Sequence, residues 1–154
     1  MDSRLKIVAG NAVGTFLERV KLRPDQYREV VVCSPFLDDA TQPWIVDFAQ
    51  RAPRVRCGFR VITRGQAADA LFRALPGGRK VWKRVIVSRH LLHAKVYLAV
   101  ARKYPHSEAI VTSANLTVDG MSENDELGLR ITGRSETGRQ LLGDLHRAIQ
   151  NWMQ

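Results

Sequence analysis

Apolar residues follow two different periods along the chain. Val13, Phe16, Leu17 and Val20 recur at helical spacing, which predicts an amphipathic helix over residues 11–21 with Asn11 as its N-cap, ending before Pro24. Val30-Val31-Val32-Cys33 is instead a continuous, mostly β-branched run closed by Ser34-Pro35, the pattern of a central strand buried on both faces. A helix over residues 43–50 is expected next, with Trp44, Ile45 and Phe48 facing inward. A strand over residues 55–63 follows, then a helix over residues 67–75 stopped by Pro76-Gly77-Gly78. Beyond that point the pattern changes. Strand-like runs at residues 81–87, 93–101, 109–112 and 126–131 follow with little helix between them. Ser135 then caps a final helix whose Leu141, Leu142, Leu145, Ile149 and Trp152 form one stripe. The order βαβα followed by a meander predicts a mixed β-sheet flanked by helices on both faces, hence α/β or α+β, and α/β is the assignment adopted.

Composition narrows the class. The 154 residues have room for a single domain, 1–154, and 45% hydrophobic with 25% charged residues suits a soluble globule. No run resembles a signal peptide or a membrane-spanning helix, so a cytoplasmic location is expected. Cys33 and Cys57 show no CxxC spacing and read as reduced core residues, with one disulfide as the alternative.

Charge adds a partner class. The formal net charge is +9, and residues 48–107 hold 14 Arg and Lys against the single acid Asp69, so this segment carries all of the excess. Arginine outnumbers lysine 18 to 6, and its planar fork suits bidentate phosphate contact. The expected partner is a polyanion, with Arg79, Lys80, Lys83, Arg84, Arg89 and Arg64 as candidate nucleic-acid contacts. Trp82, set among these cations, could stack on a base, but reads as a core residue, as do Trp44 and Trp152. A solvated basic face is the alternative for the whole segment.

Candidate chemistry follows from strand pairing. Tyr104-Pro105-His106 has turn composition, and a hairpin centred near residues 104 and 105 sets His93 beside Leu116 and Lys95 beside Ala114, with Asn115 between. A second hairpin closed at Asp119-Gly120 sets Glu126 opposite Asn115, a register that a one-residue slip would spoil. On this reading His93, Lys95, Ser113, Asn115 and Glu126 converge. They supply a nucleophile or acid, a fixed cation, neutral donors and a carboxylate able to orient an imidazole, which suffices for phosphoryl transfer without a metal. A zinc site using His90 and His93 with Cys33 or Cys57 lacks ligand-like spacing.

His93-Ala94-Lys95, then Thr112-Ser113-Ala114-Asn115-Leu116-Thr117, then Asn124-Asp125-Glu126, resembles the HxK…SxN…NxE signature of the phospholipase D superfamily. It is most similar to the small bacterial endonucleases with one copy of the motif, and Ser34-Pro35-Phe36 also matches a sequence common in that family. The resemblance implies that His93 attacks phosphorus to form a phosphohistidine while Lys95 and Asn115 hold the non-bridging oxygens. Ser113 would assist at the phosphate or support the strand turn, and Glu126 would orient the His93 ring. No metal and no cofactor are implied. Two departures stand out: Val100 occupies the Asp position of the longer HxKx4D form, and Thr112 replaces the usual glycine before the serine. Because the implied mechanism uses two histidines and the chain has one HxK, the resemblance also implies a homodimer sharing one active site. The expected function is a metal-independent nuclease, with DNA ahead of RNA as substrate. The alternatives are an inactive nucleic-acid-binding module and a phospholipid phosphodiesterase, the latter without an evident membrane-binding element.

Overall fold

The computed structural model describes residues 5–123 and 126–154. Among them, seven strands form one sheet: β1 (Leu5–Ala9), β2 (Tyr27–Cys33), β3 (Gly58–Thr63), β4 (Ile86–Ser88), β5 (Val96–Ala101), β6 (Glu108–Thr112) and β7 (Leu127–Thr132). Their order is β1-β7-β6-β5-β2-β3-β4; β2, β3 and β4 are mutually parallel and every other pairing is antiparallel. The helices are α1 (Ala12–Leu22), α2 (Gln42–Arg51), α3 (Gly65–Ala74), α4 (Gly78–Trp82) and α5 (Glu136–Trp152). The mixed sheet flanked by helices is the expected α/β arrangement.

Alternation in the central strands explains the two layers. Val30, Val32, Phe59, Val61, Tyr97 and Ile110 point to one face, where α1, α2 and α3 bury Phe16, Phe48 and Leu71 against them. Val31, Cys33, Ile62, Leu98 and Ala109 point to the other, which α5 covers with Leu142 and Ile149. Strands buried on both sides must be apolar at every position, which is why residues 30–33 read as an unbroken run. The predicted Asn11 start of α1 and the Ser135 cap of α5 both stand where expected. The Ser135 hydroxyl accepts from Gly138 N, whereas Asn11 makes no side-chain cap bond.

Three local expectations differ from the structure. Residues 81–87 are not one strand: Gly77 and Gly78 take left-handed backbone (φ 85° and 57°) that starts the short α4, and the Trp82 indole N–H is tied to Pro76 O at 2.6 Å. Only Ile86–Ser88 pairs with the sheet. The strand expected from residue 55 begins at Gly58, after a 3-10 turn over Ala52–Val55. Edge strand β1 escapes sequence reading because its residues are mostly exposed and so lack a buried apolar face. Both cysteines are free and buried, so the reduced-core reading holds and the disulfide alternative falls.

Candidate active site

Strand register builds the site as a polar row across one end of the sheet. Thr63 pairs with Ser88, and Thr112 with Gly128. Cys33 faces Ile62 on one side and Val96 on the other, so the next step up brings Thr63, Ser34 and Lys95 into line, and Lys95 O accepts from Thr112 N. The row Ser88, Thr63, Ser34, Lys95, Thr112, Gly128 therefore crosses six strands. One pair lower on the same face, the residues are Val61, Val32, Tyr97 and Ile110, all buried. The chain thus changes from apolar to small and polar where β2, β3 and β4 end, the edge at which open α/β sheets bind ligands.

Two loops close over this row. The Ser34 hydroxyl donates to Phe36 O at 2.7 Å and accepts from Leu116 N at 2.9 Å, and Leu37 and Leu116 form a short parallel bridge. Thr41 Oγ1 donates to Leu116 O, and Tyr97 Oη to Ala114 O, both at 2.9 Å. Tyr97 lies under the loop, and burial pushes its phenol pKa up. Gly120 packs on the backbone of Asn115, where a Cβ would stand 2.4 Å from Asn115 O, so no larger residue fits. Asn115 Oδ1 is buried with no hydrogen-bond partner among the described residues.

The expected registers need correction. In the β5–β6 hairpin Val96 faces Val111, so Lys95 lies beside Thr112 rather than Ala114, a shift of two residues that keeps its face. The connection is a 3-10 turn over Tyr104–His106, with Ser107 Oγ accepting from Ala101 N in place of a ladder bond. In the β6–β7 hairpin Thr112 faces Gly128, one residue off the expected pairing, so continued pairing would set Glu126 opposite Ala114. Ser113 and Glu126 meet regardless, because Ser113 is past the end of β6: its hydroxyl bonds the Glu126 carboxylate and accepts from Leu127 N at 3.2 Å. Asn124 and Asp125, the start of the third motif, lie outside the described residues.

His93 and Lys95 precede β5 instead of lying in it. His93 is exposed on the turn after β4, and Lys95 Nζ donates to His93 O at 3.2 Å. Arg64 meets the His93 ring, with Nη2 3.1 Å from Nε2 and 3.3 Å from Nδ1. In the sequence Arg64 stands out only as a nucleic-acid contact; its place beside the histidine depends on β3 and β5 flanking β2, which no local pattern reveals.

The other candidate cations divide. Arg89 is exposed at the same end as His93, where its amide donates to Thr63 O. Arg79, Lys80, Lys83 and Arg84 sit beyond the far end of α3, whose ten residues span about 15 Å. Arg79 is engaged internally, paired with Asp69 at 2.6 Å and set over the Phe72 ring. Of the other histidines, His146 bonds Glu29 at 2.7 Å, while His90 and His106 are exposed. Among the described residues no group of three or more His, Cys, Asp and Glu is placed to hold a metal. Val100 lies in the α5-side core, far down β5 from His93, so its substitution for Asp alters core packing and not the polar row.

No protein-family model and no curated protein matches the sequence. Solved structures do. The phospholipase D family member Nuc from Salmonella typhimurium matches over 93% of each chain at 12% identity, TM-score 0.52. The chain has the phospholipase D fold. It also matches phosphatidylserine synthase from Haemophilus influenzae (10% identity, TM-score 0.58), covering 91% of this chain and 35% of that one. TrmBL2, an archaeal chromatin protein with a novel mode of DNA binding, matches at 12% identity and TM-score 0.51, over 97% of this chain and 52% of its own. The phospholipase D fold is therefore common to proteins of unlike function, and substrate must be argued from this chain's own residues.

Proposed function

We propose that this chain is a metal-independent phosphodiesterase that hydrolyses the nucleic-acid backbone through a phosphohistidine on His93, working as a homodimer in the cytoplasm. The observation that carries the reading is the polar end of the sheet: His93 and Lys95 at one end of a phospholipase D fold, beside Arg64 and the Ser113–Glu126 pair. A His93 ring nitrogen attacks phosphorus, an N–P bond forms, and the bond to the leaving ester oxygen breaks. That oxygen takes a proton from the second copy's imidazole. Water then attacks phosphorus, the N–P bond breaks, and the water proton passes to that same imidazole, restoring both rings. Lys95 and Asn115 hold the non-bridging oxygens as charge builds on them. Glu126 orients the ring, and Ser113, bonded to Glu126, assists at the phosphate or supports the strand turn.

A second copy is supported by the uncovered part of the sheet. Helix α5 packs on one face only in part, leaving Leu5 (45% exposed), Ile7 (67%), Val111 (38%) and Leu127 (61%) as an apolar strip on β1, β7 and β6, next to Ser113 and Glu126. Charge supports nucleic acid, DNA first: Lys80, Lys83, Arg84 and Arg89 are exposed, and no helix among the described residues is long and apolar enough to cross a membrane. The test is cleavage of DNA, RNA and phosphatidylcholine in EDTA by wild type and His93→Ala. DNA or RNA cleavage that survives chelation and disappears in the variant is the expected result. Tight binding without cleavage by either protein overturns the enzyme reading, and lipid hydrolysis alone overturns the substrate class.

A further inference from the structure

Arg64 follows β3 directly and occupies the N-cap position of α3. Its guanidinium is held on three sides by two segments, the turn carrying Leu92 and His93 and the loop carrying Phe36. Nε donates to Leu92 O at 2.8 Å, the group sits 5.1 Å from the centre of the Phe36 ring, and Nη2 reaches the His93 ring. The Leu92 turn is itself fixed, since Leu92 N donates to Arg89 O and Arg89 N to Thr63 O. Phe36 is fixed in turn by the Ser34 hydroxyl. The guanidinium is therefore pre-positioned.

It also lacks a counter-ion. Arg19 and Arg130 share Glu108, Arg51 has Asp47 and Arg79 has Asp69, whereas no carboxylate among the described residues pairs with Arg64. A half-buried cation held by a carbonyl, an aromatic face and an imidazole, with Lys95 close by, leaves positive charge that an anion would neutralise. A guanidinium offers donors only, and its fork matches two oxygens of one phosphate.

We propose that Arg64 is a ligand of the scissile phosphate, rather than a contact to flanking backbone phosphates. This rests on the phosphodiesterase reading. Arg64 Nη1 and Nη2 take two oxygens of a phosphate ester, the second replacing its contact with the ring, and so bring phosphorus against the imidazole. Arg64 transfers no proton. It carries charge as the N–P bond forms and the P–O bond breaks, and Phe36 keeps the fork in place.

The experiment compares wild type, Arg64→Gln, Arg64→Lys and Phe36→Leu on DNA and on bis(p-nitrophenyl) phosphate, which has no flanking backbone. Inorganic phosphate binding is followed in parallel by NMR of the His93 ring, and thermal melts check the fold. Arg64→Gln should lose about 100-fold in kcat on both substrates. Arg64→Lys should recover little of this because the fork is gone, and Phe36→Leu should lose about two- to fivefold. Phosphate affinity should fall at least tenfold in Arg64→Gln. The proposal is overturned if Arg64→Gln keeps its kcat on the small diester and only raises KM and flattens the salt dependence on DNA, the behaviour of a flanking contact. If wild type cleaves neither substrate, the phosphodiesterase reading fails, and the phosphate titration decides Arg64 separately: weakened binding in Arg64→Gln sustains the anion site, and unchanged or absent binding removes it.

Discussion

Ser34→Ala separates what holds the fold from what positions the site. The Ser34 side chain is fully buried, and its hydroxyl joins two loops by donating to Phe36 O and accepting from Leu116 N. Alanine leaves the buried Leu116 N–H unsatisfied, at a cost of about 1–3 kcal/mol. For a chain of this length that is a drop in Tm of roughly 3–10 °C. Ser107 is the matched control: it is equally buried, and its hydroxyl accepts from Ala101 N at 2.9 Å at the opposite end of β5. Ser107→Ala should cost similar stability. The two should part in activity. Ser34→Ala frees the loops that carry Phe36 and Asn115, and a misplacement of about 1 Å at a reacting centre costs on the order of 100-fold. With melts by circular dichroism and turnover of bis(p-nitrophenyl) phosphate well below either Tm, Ser34→Ala should lose about ten- to a hundredfold in kcat. Ser107→Ala should stay within about twofold of wild type, since the bond it breaks lies away from the reacting centre. Equal Tm losses with both activities retained would refute the loop tie as a positioning device, and an unchanged Tm in Ser34→Ala would refute the bond itself.

Three further outcomes are expected. Ile7→Glu places a charge on the exposed apolar strip of β1; light scattering should show a smaller dimer fraction, activity falling with it while the Tm changes little, and an active dimer would rule this strip out. Hydrogen bonding to His146 holds the Glu29 carboxyl below its ordinary value of 4.5, so its contribution to stability is complete above that value and is lost as pH falls through the lower folded value. The stability gap between wild type and Glu29→Gln, measured by urea unfolding, should therefore shrink in acid as pH falls below 4.5; a gap unchanged in acid contradicts the linkage. Burial pushes the thiols of Cys33 and Cys57 up to about 12 and about 11, so at pH 8 neither should react rapidly with a disulfide reagent until guanidinium exposes both.

How much of this was legible in the sequence depended on where each residue finds its partners. The helices α1, α2, α3 and α5 were readable because each buries one stripe, and β2 because it is buried on both faces. Edge strand β1 has no such face, and α4 is set by two left-handed glycines preceding a sequence that reads as β-strand, so both escaped pattern reading. The motif residues His93, Lys95, Ser113, Asn115 and Glu126 were found through their order and spacing, yet the registers that first brought them together were off by two residues and by one. Turn composition locates a hairpin without fixing which bond closes it, and here a side chain, Ser107, takes the place of a ladder bond. The basic segment was the least legible feature. Summed as charge it marks a polyanion surface, but the structure divides it by partner: Arg51 and Arg79 have carboxylates of their own, and Arg102 is spent on the carbonyls of Asp25, Val55 and Arg56. Among these arginines Arg64 has no carboxylate and sits against His93. A charge count registers each of them as one positive unit. Only the placement of their partners, carboxylates for Arg51 and Arg79, carbonyls for Arg102 and the His93 ring for Arg64, tells them apart.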